Sequence, residues 1–201
     1  MLKTLPDYLE AARHLLLLVI QIPPIDPSTG LRTAYLLRLT GDVLSAIPGY
    51  QLETSNAISI QETLRDLLEF LSELDQAWLA VMQSQVWDPS TAQAVDLVIS
   101  VEDDSHASPN PPSALSVKST PPSQTEVTRL RSLLFTGESA LEEWLTNKKT
   151  WADDVDSDDV SGMLEGMGLL EEFDSLFVRT LDFLGGFMGA VAEPVEELVM
   201  E

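Results

Sequence analysis

The stretch IQETLRDLLEFLSELDQAWLAV, residues 60–81, decides the fold class. Its apolar residues Ile60, Leu64, Leu67, Leu71, Leu74, Trp78 and Val81 alternate at spacings of four and three, the heptad period that sets a stripe along one side of an α-helix. One helix cannot bury such a stripe by itself, so other helices must cover it. Leu68, Phe70, Leu79 and Met82 widen it beyond a narrow dimer seam. The segment is therefore predicted to be the central helix of a bundle rather than a dimerising coiled coil. Ser59-x-x-Glu62 reads as its capping box, with the helix reaching about Gln85.

Working outward, the N-terminal side supplies two more helices. Thr4 with Asp7 resembles a cap and Pro6 falls in the first turn, which predicts a helix from Leu5 to Ile22 ended by Pro23. Its run LLLLVIQI, residues 15–22, follows Asp7 and Glu10 and precedes Pro23-Pro24, unlike a secretory signal. It is also short of the roughly 20 apolar residues that span a bilayer. It is expected to be a deeply buried helix, with His14 beside it as a hydrogen-bonded structural histidine. Asp26-Pro27-Ser28-Thr29 then predicts a helix start, with Asp26 as the cap and Pro48-Gly49 as the stop. The expected apolar face is Leu31, Tyr35, Leu36, Leu39, Val43 and Ile47.

The same tetrapeptide recurs as Asp88-Pro89-Ser90-Thr91 and predicts a fourth helix to about Val101. The residues after the two copies, GLRTAYLL and AQAVDLVI, match only loosely. That favours repeated helix-start chemistry over duplication of a hairpin. Four helices with short connections make residues 1–101 an antiparallel bundle. Residues 102–124 break the pattern with five prolines and many serines, the composition of a disordered linker. Ser108-Pro109 and Thr120-Pro121 within it match the minimal proline-directed phosphorylation pattern, which ordinary linker composition also produces.

Residues 125–201 read as an acidic amphipathic helical region. Val127, Leu130, Leu134, Leu141 and Trp144 line one helical face interrupted by Gly137. A second apolar segment runs from Met163 to Leu184 and is dense enough to bury on more than one side. The expected class is thus all-α: a bundle of about four helices, a disordered linker, and two or three C-terminal amphipathic helices.

Composition bounds the chemistry. The 201 residues are 44% hydrophobic, enough for a genuine core, and contain no cysteine. Thiol catalysis, Cys-ligated zinc and disulfides are excluded, in keeping with an intracellular setting, nucleus or cytoplasm. The net charge of −22 is uneven: residues 1–100 hold 5 basic and 12 acidic side chains, residues 101–201 hold 6 and 21. Such a field repels phosphate backbones and anionic lipid, so no direct nucleic-acid binding is expected. The segment DFLGGFMGAVA, residues 182–192, is too short and glycine-rich to cross a membrane.

Residues 154–165 place Asp154, Asp156, Asp158 and Glu165 at positions 1, 3, 5 and 12 of a twelve-residue loop. This resembles an EF-hand calcium loop. It departs from that pattern at position 6, where Asp159 replaces the turn glycine, and at position 8, where Ser161 replaces an aliphatic residue. A solvated acidic connector is the competing reading, and no metal or cofactor is expected. G-x-S-x-G, H-E-x-x-H, the Walker loop and paired Glu-x-x-His motifs are all missing. His106 falls in the linker.

The segment EEFDSLFVRTLDFLGGF, residues 171–187, resembles the acidic amphipathic segments of transcriptional activation domains and helix-in-groove ligands. Packing onto the bundle is its expected fate. The function expected is a non-enzymatic helical adaptor or assembly subunit of a larger complex, with Trp144, Trp151, Phe173, Phe177, Phe183 and Phe187 as partner anchors. The alternative is an acidic chaperone for a basic client such as a histone or ribosomal protein, using Asp153 to Asp159.

Overall fold

A computed structural model describes residues 4–52, 57–88, 90–91, 93–97, 119–147 and 160–189, with the side chains at 57–58, 160–161 and 186–189 outside that description. The fold is all-α with one small hairpin. Its helices are α1 (Leu5–Ile20), α2 (Ser28–Ala46), α3 (Ala57–Met82), α4 (Gln124–Thr146), α5 (Val160–Gly166), α6 (Leu170–Asp174) and α7 (Val178–Gly189). Strands β1 (Val86–Asp88) and β2 (Gln93–Val95) form the hairpin, with Trp87 opposite Ala94.

The central helix keeps its sequence signature. Ile60, Leu64, Leu67, Leu71, Leu74, Trp78 and Val81 are all buried, and so are Leu68 and Phe70. Its start differs from expectation: α3 begins at Ala57, so Ser59 and Glu62 lie inside the helix and do not form the capping box. Thr4 does cap α1, its Oγ1 accepting from the Asp7 N–H.

Helices α1 to α4 alternate in direction, with α1 and α2 packed on α3 and α4 packed on α2. The Tyr8 hydroxyl of α1 donates to the Asp42 carbonyl of α2 at 3.4 Å, early in one helix and late in the other. Arg13 of α1 reaches Asp66 and Glu73 of α3, whereas Leu44 of α2 meets Gly137 of α4. Two tryptophans tie helices together while burying their rings. Trp78 Nε1 donates to Thr40 Oγ1 at 3.0 Å, and Trp144 Nε1 donates to the Tyr50 carbonyl at 2.8 Å. Arg32 is buried too, its Nη1 donating to the Gln85 carbonyl at 2.7 Å while Nε and Nη2 have no hydrogen-bond partner among the described residues. Burial pushes its guanidinium down to about 10.

Where a fourth helix is predicted over 88–101, the described residues form the hairpin, residues 98–101 lie outside the description, and α4 supplies the fourth long helix. Asp88 caps a turn instead of a helix. Its carboxylate accepts from the Ser90 N–H at 2.8 Å, the Ser90 hydroxyl at 2.6 Å and the Thr91 hydroxyl at 3.0 Å. Asp26, in the first copy, accepts from the Thr29 hydroxyl and from both the N–H and hydroxyl of Thr120, while Pro27 stands at the start of α2. On α2 itself Leu31 and Tyr35 are exposed, and Arg32, Thr33 and Thr40 occupy the buried side.

The C-terminal helices close over α3. Asp75 of α3, buried, accepts the Thr180 backbone N–H at 3.1 Å, and the Thr180 hydroxyl donates to the Asp75 carbonyl at 3.2 Å. Thr180 lies in the first turn of α7, so a carboxylate from a neighbouring helix satisfies one of its open donors. Gln61 Nε2 donates to the Met167 carbonyl at 3.1 Å. Phe177 is buried at a φ of +53°, a left-handed conformation that costs a bulky residue about 1–2 kcal/mol. Burial of its ring opposes that cost.

Candidate functional site

Three surfaces present apolar area, two of them beside charge. The first is a ridge along α1 and α2. The run at residues 15–18 is only partly buried, contrary to the expectation of deep burial: Leu16 faces the core, while Leu18 is 64% and Leu15 53% exposed. Tyr8 meets Asp42 across the antiparallel pair, so Leu15, seven residues later, lies level with Tyr35, seven residues earlier. Leu15, Leu18, Leu31 and Tyr35 thereby form one exposed apolar ridge. His14 is exposed on the same helix.

The second surface is a cleft of about 690 Å³ between α1 and α3, floored by Leu16, Ile20, Leu68, Ala77 and Trp87. On its rim Arg13 faces three acids: Asp66 at 2.8 Å, Glu73 at 2.9 Å and Glu69 at 3.7 Å. Burial works against the charge on Arg13, but its bonds to Asp66 and Glu73 outweigh that and hold the guanidinium above its ordinary range. Burial likewise pushes the Glu73 carboxyl up, with Arg13 pulling it down. This cation is already engaged by the protein's own acids.

The third surface is a groove of about 460 Å³ between α4 and the α5–α6 pair. Leu141, Leu145, Leu164, Leu170, Phe173 and Leu176 supply its apolar lining, Phe135 stands at one end, and Glu138, Glu142 and Asp174 supply its charge. Glu138 is half-buried, and burial raises its carboxyl above the usual range.

The expected anchors have separate fates. Trp144 is 3% and Phe177 2% exposed, and both are core side chains of the chain itself. Phe173 lines the α4–α6 groove, and Phe183 is 36% exposed. Trp151 and the side chain of Phe187 lie outside the described residues. Asp153 to Asp159, and with them Asp154, Asp156 and Asp158 of the calcium-like loop, lie outside them too. Glu165 is described and exposed on α5. Among the described residues no three His, Asp or Glu side chains are grouped to hold a metal ion, and no helix is long and apolar enough to cross a membrane.

The ridge and the groove were both hidden from helical periodicity. A run of four leucines reads as uniformly buried, although only one side of a surface helix faces a core. Phe135, Glu138 and Glu142 follow one another at spacings of three and four on α4, a secondary stripe whose signal is weak because two of its members are acids. No family model, curated protein or solved structure matches the chain.

Proposed function

We propose that this chain is a non-enzymatic helical adaptor or assembly subunit that binds other proteins through its bundle surface. The observation that carries this reading is the exposed ridge of Leu15, Leu18, Leu31 and Tyr35. The chain's own C-terminal helices turn to α3 instead, through Asp75 and Gln61. Contiguous exposed apolar side chains on an otherwise strongly charged protein are the usual mark of an interaction surface.

The test uses point variants rather than a chain cut at Val101, because such a cut removes Val127, Leu130 and Leu134 from the core. Leu18→Glu and Tyr35→Glu alter exposed positions and are expected to leave the thermal midpoint unchanged. Crosslinking in an extract of the source cells, with mass spectrometry of the captured proteins, should show specific partners lost from both variants. Capture of the same partners at the same yield by wild type and both variants would rule the ridge out as the binding surface.

A further inference from the structure

We propose that the groove between α4 and the α5–α6 pair docks a basic amphipathic segment of a partner protein, with an Arg or Lys side chain seated over Glu138. This deepens the adaptor reading and rests on it. The chemistry of the groove is one-sided. Its floor is leucine and phenylalanine and its charged lining residues Glu138, Glu142 and Asp174 are all acidic, while Arg131 stands over the Phe135 ring, 5.6 Å from its centroid.

Glu138 is the unusual member. A carboxylate drawn partly out of water normally has a counter-charge or a set of hydrogen bonds to offset the lost solvation. Among the described residues Glu138 has neither an ion pair nor a side-chain hydrogen bond, and its carboxyl is raised by desolvation. A cation from outside would supply that missing partner. Arg and Lys suit the site because their aliphatic stems lie well on apolar surface while the head reaches a charge.

The charge of the chain points to an occupant from another molecule. Residues 148–159 carry five Asp against two Lys, and residues 190–201 carry four Glu and no base. Residues 98–118 carry three acids against Lys118. Each of these stretches is net acidic, the sign of the groove's own charges. The net charge of −22 draws a basic partner in from a distance.

The probe is a synthetic acetylated and amidated peptide of leucine, alanine and arginine, about three helical turns long, with its leucines on one face and arginines flanking them. A second peptide carries citrulline, neutral and nearly isosteric, at each arginine. Fluorescence anisotropy on the full chain at about 0.15 M salt limits long-range attraction. Wild type should bind the arginine peptide, and Glu138→Gln should weaken binding about tenfold or more, the range of a lost charged hydrogen bond. Glu143→Gln removes the same charge from an exposed position on α4 outside the groove and should stay close to wild type. Equal losses in the two variants would reduce the effect to net charge and overturn the proposal. Equal binding of the citrulline peptide, or none of the arginine peptide, would overturn it as well. Self-association that Glu138→Gln abolishes would instead assign the groove to a second copy. If peptide binding fails while the ridge variants still lose their partners, only the groove assignment falls; if both fail, so does the adaptor reading.

Discussion

A Cβ added at Gly137 would stand 2.5 Å from Leu44 Cδ1, 3.0 Å from its Cγ and 3.1 Å from its Cβ. The last two atoms lie near the α2 backbone, so a leucine rotamer change cannot clear them all and the helices must separate. In an exposed helix Gly→Ala would gain about 1 kcal/mol of propensity. Here overpacking, typically about 1–3 kcal/mol, acts against that gain and is expected to win. Gly137→Ala should therefore lower the thermal midpoint. Gly41, on the same α2–α4 interface, would place its Cβ 3.6 Å from the nearest Leu133 atom, an ordinary contact, so Gly41→Ala should hold or raise it. Calorimetry on the two variants checks the contrast, and a rise for Gly137→Ala would show that α2 and α4 are not held at this spacing. Sequence alone marked Gly137 only as an interruption of an apolar face. That it is the point of closest approach depends on Leu44, ninety-three positions away in a chain where nothing local pairs them.

At the scale of elements, legibility followed how local the deciding interaction is. The heptad stripe of α3 and the Thr4 cap of α1 depend on neighbours within one or two turns, and both stand as read. The two copies of Asp-Pro-Ser-Thr use the same short-range carboxylate chemistry, yet one precedes a helix and the other closes a hairpin. Asp88 satisfies a turn with the groups that would have capped a helix, and only the pairing of residues 86–88 with 93–95 separates the outcomes. The α7 docking site was illegible for a similar reason, since its helix start is capped by Asp75 from α3. Asp75→Ala leaves the Thr180 N–H without its acceptor, a loss of about 1–3 kcal/mol. Hydrogen exchange should then rise in α7 before it rises in α1 or α2. Asp75→Asn keeps an acceptor oxygen and should fall between wild type and alanine. Uniform loss of protection across all helices would mean that α7 does not open as a separate unit.

For the whole molecule, one buried cluster takes side chains from both sides of the proline-rich stretch: Leu36, Val43 and Trp78 from one side, Leu130, Leu134, Trp144 and Leu184 from the other. The proline-rich composition of residues 102–124 reads as a boundary, yet Thr120 bonds Asp26 and Pro122 is buried, and composition does not record which flanks pack together. The candidate groove was invisible for the same reason: α4 presents Glu138, but α5 and α6 supply Leu164, Leu170 and Phe173. A shared core makes fragments mutually dependent. A polypeptide of residues 1–101 would expose the α2 and α3 surfaces that α4 and α7 bury, and each fully buried leucine or phenylalanine is worth about 1.5–3 kcal/mol. That loss is comparable to the roughly 5–15 kcal/mol of an entire domain. Neither 1–101 nor 119–201 should melt cooperatively alone, whereas an equimolar mixture should recover a cooperative transition and the near-ultraviolet circular dichroism of ordered Trp78 and Trp144. A cooperative transition from 1–101 by itself would show that the N-terminal half is an independent domain, with the C-terminal helices docked on it as a separable cover. Recovery on mixing would show that the proline-rich connection is dispensable for the core, leaving its length free to vary without cost to the ridge or the groove.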